Sequence, residues 1–200
     1  MSDVDDAIAA LRAGRLAVIP TDTVYGLAAD GRNEAAARAL YAAKGRDADQ
    51  PTAVLFPSVE RLLETLPGLP PATTTAVGEL LPGPVTLVLP NSAHRFPWLN
   101  RRRSDTLGVR VPAVVGPGLD VLEALGAIVA TSANLPGGAD PRRLDDVPPE
   151  IRAAAAAAVD GGELGGAPST VIDLTGAEPV VLREGALPSA EALARLARSG

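Results

Sequence analysis

Leu16-Ala17-Val18-Ile19-Pro20-Thr21-Asp22-Thr23-Val24-Tyr25-Gly26-Leu27 is the stretch on which the fold turns. Its first four residues are apolar and lie between Gly14 and Pro20, the length and setting of a buried strand. They run into a polar loop, Pro20 to Leu27, which carries two threonines and an aspartate and closes on a glycine. Upstream, Ser2 and Asp5 have the spacing of a capping box, Val4, Ile8 and Leu11 share one helical face, and Gly14 ends the helix. Downstream, Asn33 can cap a helix from about Glu34 to Ala43, with Ala36, Leu40 and Ala43 turned inward. Lys44-Gly45-Arg46 lies just past its end.

The same alternation continues. Thr52 to Phe56 reads as a strand, Ser58 opens a helix, and a further helix fills Ala72 to Leu81. Pro82-Gly83-Pro84 is a stiff turn before the β-branched strand Val85 to Leu89. Asn91 to Arg103 reads as a loop, Leu107 to Val111 as a strand, and Leu119 to Leu125 as a short helix. A strand at Ala127–Ala130 leads into Thr131-Ser132-Ala133-Asn134, followed by a polar, proline-rich segment from Leu135 to Pro149. Ile151 to Ala158 has the composition of a helix. Val171–Leu174 and Val180–Leu182 can pair around Gly176, and Ser189 can cap a last helix to Arg198. Interleaved strands and helices predict an α/β fold. Some strand connections are too short for crossover helices, which predicts a mixed sheet. With no repeat and no long linker, residues 1–200 are expected to form a single domain.

Composition removes several classes of chemistry. The 200 residues contain no cysteine, which excludes disulfides, thiolate metal sites and a cysteine nucleophile. The one histidine, His94, excludes a two-histidine metal site within the chain and is expected in a loop. A net charge of −6 and five scattered aromatics (Tyr25, Tyr41, Phe56, Phe96 and Trp98) argue against a bulk nucleic-acid binder. No apolar run is long enough to span a bilayer, and the acidic start has no signal-peptide pattern, so a soluble cytoplasmic protein is expected. The eighteen basic residues are seventeen arginines and the single lysine Lys44. In a chain so biased to arginine, the lysine hints at a place where a compact ammonium is needed.

Four loops next to strands or helices carry the candidate chemistry: Thr21-Asp22-Thr23, Lys44-Gly45-Arg46, Thr131-Ser132-Ala133-Asn134, and Gly165 to Thr170. Ligands of open α/β sheets bind outside strand ends, so the four loops could line one cavity. Lys44 and Arg46 suit a polyphosphate, or equally a helix C-terminus whose dipole attracts cations. Ser132 and Asn134 suit phosphate, ribose or a carbonyl, or equally an ordinary turn. Arg110, between valines, is either half of an internal ion pair or a clamp on a carboxylate or phosphate. Arg183 ends a strand and can reach the same cavity. Arg101-Arg102-Arg103 reads as a solvated run. Neither a Walker A loop nor a dinucleotide fingerprint is present.

Taken in order, these segments resemble the YrdC-like family, whose main members are threonylcarbamoyl-AMP synthases. The matching motifs are Pro20 to Leu27, Tyr41-Ala42-Ala43-Lys44-Gly45-Arg46, Pro82 to Leu87, Gly108-Val109-Arg110-Val111-Pro112, Ala130 to Asn134, Pro168-Ser169-Thr170-Val171 and Leu182-Arg183-Glu184-Gly185. The resemblance implies a twisted mixed α/β sheet flanked by helices around a large open cavity, here in a short, single-domain form. It implies formation of threonylcarbamoyl-AMP and pyrophosphate from L-threonine, bicarbonate and ATP, with magnesium carried by the ATP. Downstream proteins would transfer the threonylcarbamoyl group to tRNA position 37, with tRNA itself a weak contact at most and no membrane involved.

By resemblance, Lys44, Arg46, Ser132 and Asn134 form the catalytic tetrad. The ATP would meet these four together with Thr106 and Arg183. Threonine would meet Thr23, Thr106, Arg110 and Ser169, with Arg110 on its carboxylate. The chain departs from the family pattern at Asp47 after Arg46, at Thr52 after Pro51, at Leu55 where some members have histidine, and at Asp140 near Pro141 where serine is common. Carbamoyl-adenylate formation, as in hydrogenase-maturation relatives, is a second enzymatic reading, weakened by the missing cysteine-rich modules. The non-enzymatic alternative is an RNA-binding or ribosome-associated module of the same fold.

Overall fold

A computed structural model describes residues 2–45, 52–100 and 103–198. Helix α1 (Asp3–Arg12) starts at the Ser2–Asp5 capping box and leads to β1 (Leu16–Pro20). After a four-residue turn come β2 (Tyr25–Asp30) and α2 (Glu34–Ala43), the latter capped by Asn33 on the Ala36 N–H. Next are β3 (Val54–Leu55), α3 (Val59–Thr65, capped by Ser58), α4 (Pro71–Leu80) and β4 (Val85–Pro90). Then follow β5 (Thr106–Arg110), α5 (Pro117–Leu125) and β6 (Ile128–Ser132). The chain continues through a 3₁₀ turn at Leu144–Asp146, α6 (Pro149–Ala154), β7 (Ala155–Ala158), β8 (Thr170–Asp173), β9 (Val180–Arg183) and α7 (Ser189–Ala197).

The strands form one nine-stranded sheet in the order β7-β1-β2-β6-β3-β5-β4-β8-β9. β1–β7, β3–β5 and β4–β8 run parallel, and the other neighbours run antiparallel. The mixed α/β sheet expected from the short connections is therefore present.

Strand alternation divides the side chains between two faces. Val18, Leu27, Val54, Leu87, Leu89, Leu107, Val109, Val129 and Ile172 point to one face. There they pack with Ala36, Leu40 and Tyr41 of α2, Leu62 of α3, Val77 and Leu80 of α4, and Ala192 of α7. The opposite face is covered at one end only. Ala17, Ile19, Ala28, Leu55 and Ile128 meet Ala7 and Leu11 of α1 and Val121, Leu122 and Leu125 of α5. Gly118 lets α5 settle there, since a Cβ at that position would lie 2.6 Å from the carbonyl oxygen of Pro20. Among the described residues no helix beyond α1 and α5 packs on this second face, and the cavity described below opens over it.

Three local expectations are corrected. Pro20 to Leu27 is not all loop: from Tyr25 the chain is strand, because β2 pairs with β1 on one side and β6 on the other. The Ile151–Ala158 helix stops at Ala154. The next four alanines form β7, whose backbone groups find partners along β1, a tertiary gain that outweighs alanine's helical preference. Ser189 is the first helical residue rather than the cap; Pro188 holds the cap position, and Glu184 accepts the Ser189 N–H at 2.8 Å.

Tyr25 ties β2 to a distant loop. Its buried hydroxyl lies 2.9 Å from Asp160 Oδ1 and 2.8 Å from the Gly162 carbonyl, and accepts the Gly161 N–H at 2.9 Å. Burial, reinforced by the neighbouring Asp160 carboxylate, pushes the phenol up to about 12. Tyr25→Phe should cost about 1–3 kcal/mol, because Gly161 N–H and its neighbours lose their partner. Urea unfolding of the two proteins checks this.

Candidate active site

The uncovered part of the second face is the floor of a cavity of about 700 Å3, within the usual range for small-molecule sites. The floor is built by alternation: Gly26 on β2, Ala130 and Ser132 on β6, Leu55 on β3, Thr106, Gly108 and Arg110 on β5, Thr86 and Val88 on β4, Val171 and Asp173 on β8, and Leu182 on β9. The walls are the expected loops: Thr21 and Thr23 from the β1–β2 turn, Thr131 and Ser132 at the end of β6, where the expected loop begins as strand, and Pro168 and Ser169 before β8. Three of the four predicted loops thus converge on one hollow.

The fourth loop contributes differently. Lys44 is the C-cap residue of α2 and is almost fully buried. Its ammonium donates to the carbonyls of Ser132 (2.7 Å) and Asn134, and to Asn134 Oδ1 (2.8 Å). Ser132 Oγ donates to the same Oδ1 at 2.8 Å. Asn134 Nδ2 reaches the Gly138 carbonyl at 2.8 Å and Asp140 Oδ1 at 3.2 Å. Lys44 therefore braces the Ser132–Asn134 wall from behind. An ammonium can make three divergent bonds in so small a space, whereas a planar guanidinium cannot. Arg46 and Asp47 lie outside the described residues, as do Arg101 and Arg102.

On the opposite wall Arg110 lies between the two readings open for it. It is an ion-pair partner of Asp22 and also lines the cavity. The same guanidinium nitrogen donates to Thr23 Oγ1 at 2.9 Å, while its Nε is buried without a partner. Burial holds the Arg110 pKa down; Asp22 opposes that shift, and the like charge of Arg183 adds to it. Arg183 donates through Nε (3.1 Å) and a terminal nitrogen (2.7 Å) to the Ser169 carbonyl, and reaches Ser169 Oγ at 3.1 Å. Ser169 Oγ is 2.8 Å from Thr86 Oγ1. Thr106 Oγ1 donates to the Arg103 carbonyl at 3.0 Å and accepts from Asn100 at 2.9 Å.

Thr23, Thr106, Arg110, Ser132, Ser169 and Arg183 are thus brought together around the cavity. Thr86, Asn100, Arg103 and Asp173, none of which the sequence assigns to the site, also line it. A threonine amid apolar residues in β4 was the only local signal for Thr86. Arg103, read as solvated, sits 4.0 Å from Asp173 Oδ2 at the rim. His94 is in a loop as expected, 3.2 Å from the Ser104 carbonyl, with φ of 48°. Among the described residues no group of three or more His, Cys, Asp or Glu is placed to hold a metal, and no helix is long and apolar enough to cross a membrane.

The Sua5–YciO–YrdC family model, described as "Telomere recombination", matches residues 9–185. The chain belongs to this family. Among Sua5–YciO–YrdC proteins, it is 38% identical over 184 residues to a Pyrococcus abyssi protein named threonylcarbamoyl-AMP synthase, covering 90% of this chain and 53% of that one. It is 33% identical over 180 residues to a Mycobacterium tuberculosis protein named putative threonylcarbamoyl-AMP synthase, covering 90% and 82%. The crystal structure of P. abyssi Sua5 complexed with L-threonine superposes with a TM-score of 0.87 at 35% identity, covering 98% of this chain and 58% of that one. The chain spans about half the length of the Pyrococcus relative.

Lys44→Met should destabilise the protein by about 1–3 kcal/mol, because three oxygens then face one another without a shared donor. Lys44→Arg should not restore the loss. Chemical denaturation of the three proteins checks both statements.

Proposed function

We propose that the protein is an L-threonylcarbamoyladenylate synthase, a nucleotidyltransferase that joins L-threonine, bicarbonate and ATP and releases pyrophosphate. The observation that carries this reading is the cavity itself: an open sheet face ringed by Thr23, Thr106, Ser132 and Ser169, with Arg110 and Arg183 on one side and the Lys44-braced loop on the other. Such a site offers two kinds of recognition at once, cations for anions and hydroxyls for polar heads. The names of the curated relatives and the threonine complex of P. abyssi Sua5 support the choice of substrates.

In this reading the threonine amine and bicarbonate condense to a carbamate and water. A carbamate oxygen attacks the α-phosphorus, and the oxygen bridging to the β-phosphorus leaves with pyrophosphate. Attacker and target are both anionic, so the residues' task is to offset charge and hold geometry. Arg110 takes the threonine carboxylate, with Thr23, Thr106 and Ser169 around it. Arg183 and Ser132 face the nucleotide, Asn134 and Lys44 fix the Ser132 loop, and the family resemblance assigns Arg46 to the nucleotide as well. Magnesium fits as an ion brought in on the triphosphate, which needs only one or two protein carboxylates. Asp140, which also accepts from Asn134, and Asp173, which also accepts from Thr175, are the carboxylates on the cavity lining that could hold it, and the ion would neutralise charge on the leaving group. The product would pass to proteins that modify tRNA in the cytoplasm. No observation of comparable weight favours an RNA-binding module.

Purified protein should release pyrophosphate from ATP only when threonine and bicarbonate are present together; release indifferent to threonine rules the reading out. Gly108→Leu gives a second check. A Cβ at Gly108 meets only ordinary contacts, the nearest 3.5 Å away at Ala53, so Gly108→Ala should be well tolerated. A leucine there projects from the floor into the cavity. It should weaken binding of a non-hydrolysable ATP analogue or of threonine at least about tenfold, read by calorimetry, without unfolding the protein.

A further inference from the structure

Asp22 is not on the cavity lining, yet it is tied to the residue that most needs to be held still. Its side chain is 8% exposed and that of Arg110 is 9% exposed, so neither charge can be satisfied by bulk water. Each carboxylate oxygen has its own donor: Oδ1 takes an Arg110 terminal nitrogen, and Oδ2 takes the Ala113 N–H at 2.9 Å. The aspartate thus grips both the side chain that ends β5 and the backbone three residues beyond it. The turn that presents Asp22 is itself pinned. Thr21 Oγ1 accepts the N–H groups of Thr23 (3.2 Å) and Val24 (3.3 Å) and donates to the Val24 carbonyl at 2.8 Å.

The charge balance points the same way. Arg183 contacts Ser169 through neutral acceptors only, and it lies near enough to Arg110 to disfavour its charge. Among the described residues Asp22 is the only carboxylate bonded to either guanidinium, and Arg183 has none, which favours an anion such as a carboxylate beside the pair. Without Asp22 the buried Arg110 would lose both its counter-ion and its fixed direction. We infer that Asp22 is the positioning residue of the site, holding Arg110 so that the cavity selects a ligand with one carboxylate. This rests on the reading above, in which Arg110 receives the threonine carboxylate.

Asp22→Asn separates positioning from bulk stability. An amide has one acceptor oxygen, so it can serve Arg110 or the Ala113 N–H but not both, and it carries no charge. The measurement is the affinity of threonine relative to threoninamide, which lacks the carboxylate, alongside the affinity of a non-hydrolysable ATP analogue and the melting temperature. The native protein should prefer threonine about tenfold or more, the scale of one charge-assisted hydrogen bond. In Asp22→Asn that preference should shrink to within about threefold, while analogue affinity stays within about twofold. Asp22→Glu keeps the charge but shifts it by a methylene and should fall between; it supplies the answer if the asparagine variant does not fold. A folded variant of either kind with the native preference intact overturns the inference, whatever its melting temperature. A native protein that binds no threonine overturns the underlying reading, and this inference with it.

Discussion

A nine-stranded sheet has two broad faces, and this chain has helices enough for one of them and an end of the other. That shortage is the constraint from which the rest follows. Where α2, α3, α4 and α7 pack, the strands place Leu, Val and Ile; where α1 and α5 pack, they place Ala, Ile and Leu. On the remaining surface a leucine-rich strand would leave a large apolar patch facing water. Most inward positions there, Gly26, Thr86, Thr106, Gly108, Arg110, Ala130, Ser132 and Asp173, are small, hydroxylated or charged, and only Leu55, Val88, Val171 and Leu182 among the floor residues are larger and apolar. The cavity is thus the part of the sheet that the fold leaves open.

Such a floor needs its polar groups fixed, since buried polar atoms without partners are costly. Two buried charges do most of the fixing. The Lys44 ammonium gathers the Ser132 and Asn134 oxygens on one wall, and the Asp22 carboxylate gathers Arg110 and the Ala113 N–H on the other. Both act at a distance from the floor, and both leave the hydroxyls of Ser132 and Thr23 beside the cavity. A wall braced from behind keeps its ligand-facing groups in place before any ligand arrives, which lowers the ordering cost of binding.

Much of this was legible from residue order. The capping signals at Ser2, Asn33 and Ser58 each start a helix where they are found, because a cap acts through its own few neighbours. The loop residues Thr23, Ser132, Ser169 and Arg183 were singled out by their place beside strands, and they do meet around one cavity. Two of the three local failures share one cause. The alanines of β7 and the start of β2 take strand geometry because of what lies alongside them in the sheet, and no local pattern states which strand will be the neighbour.

The sequence by itself determined the alternation of strands and helices, the absence of cysteine chemistry, and the polar loops that carry the candidate site, since these depend on residue type and short-range spacing. Only the tertiary structure decided that Lys44 turns to the back of the Ser132 loop, that Arg110 meets Asp22 from 88 positions away, and that Arg103 joins the cavity rim. Those outcomes depend on strand order and on which face of the sheet stays open. Both are fixed by long-range pairing, in which any one strand's pattern is compatible with many neighbours.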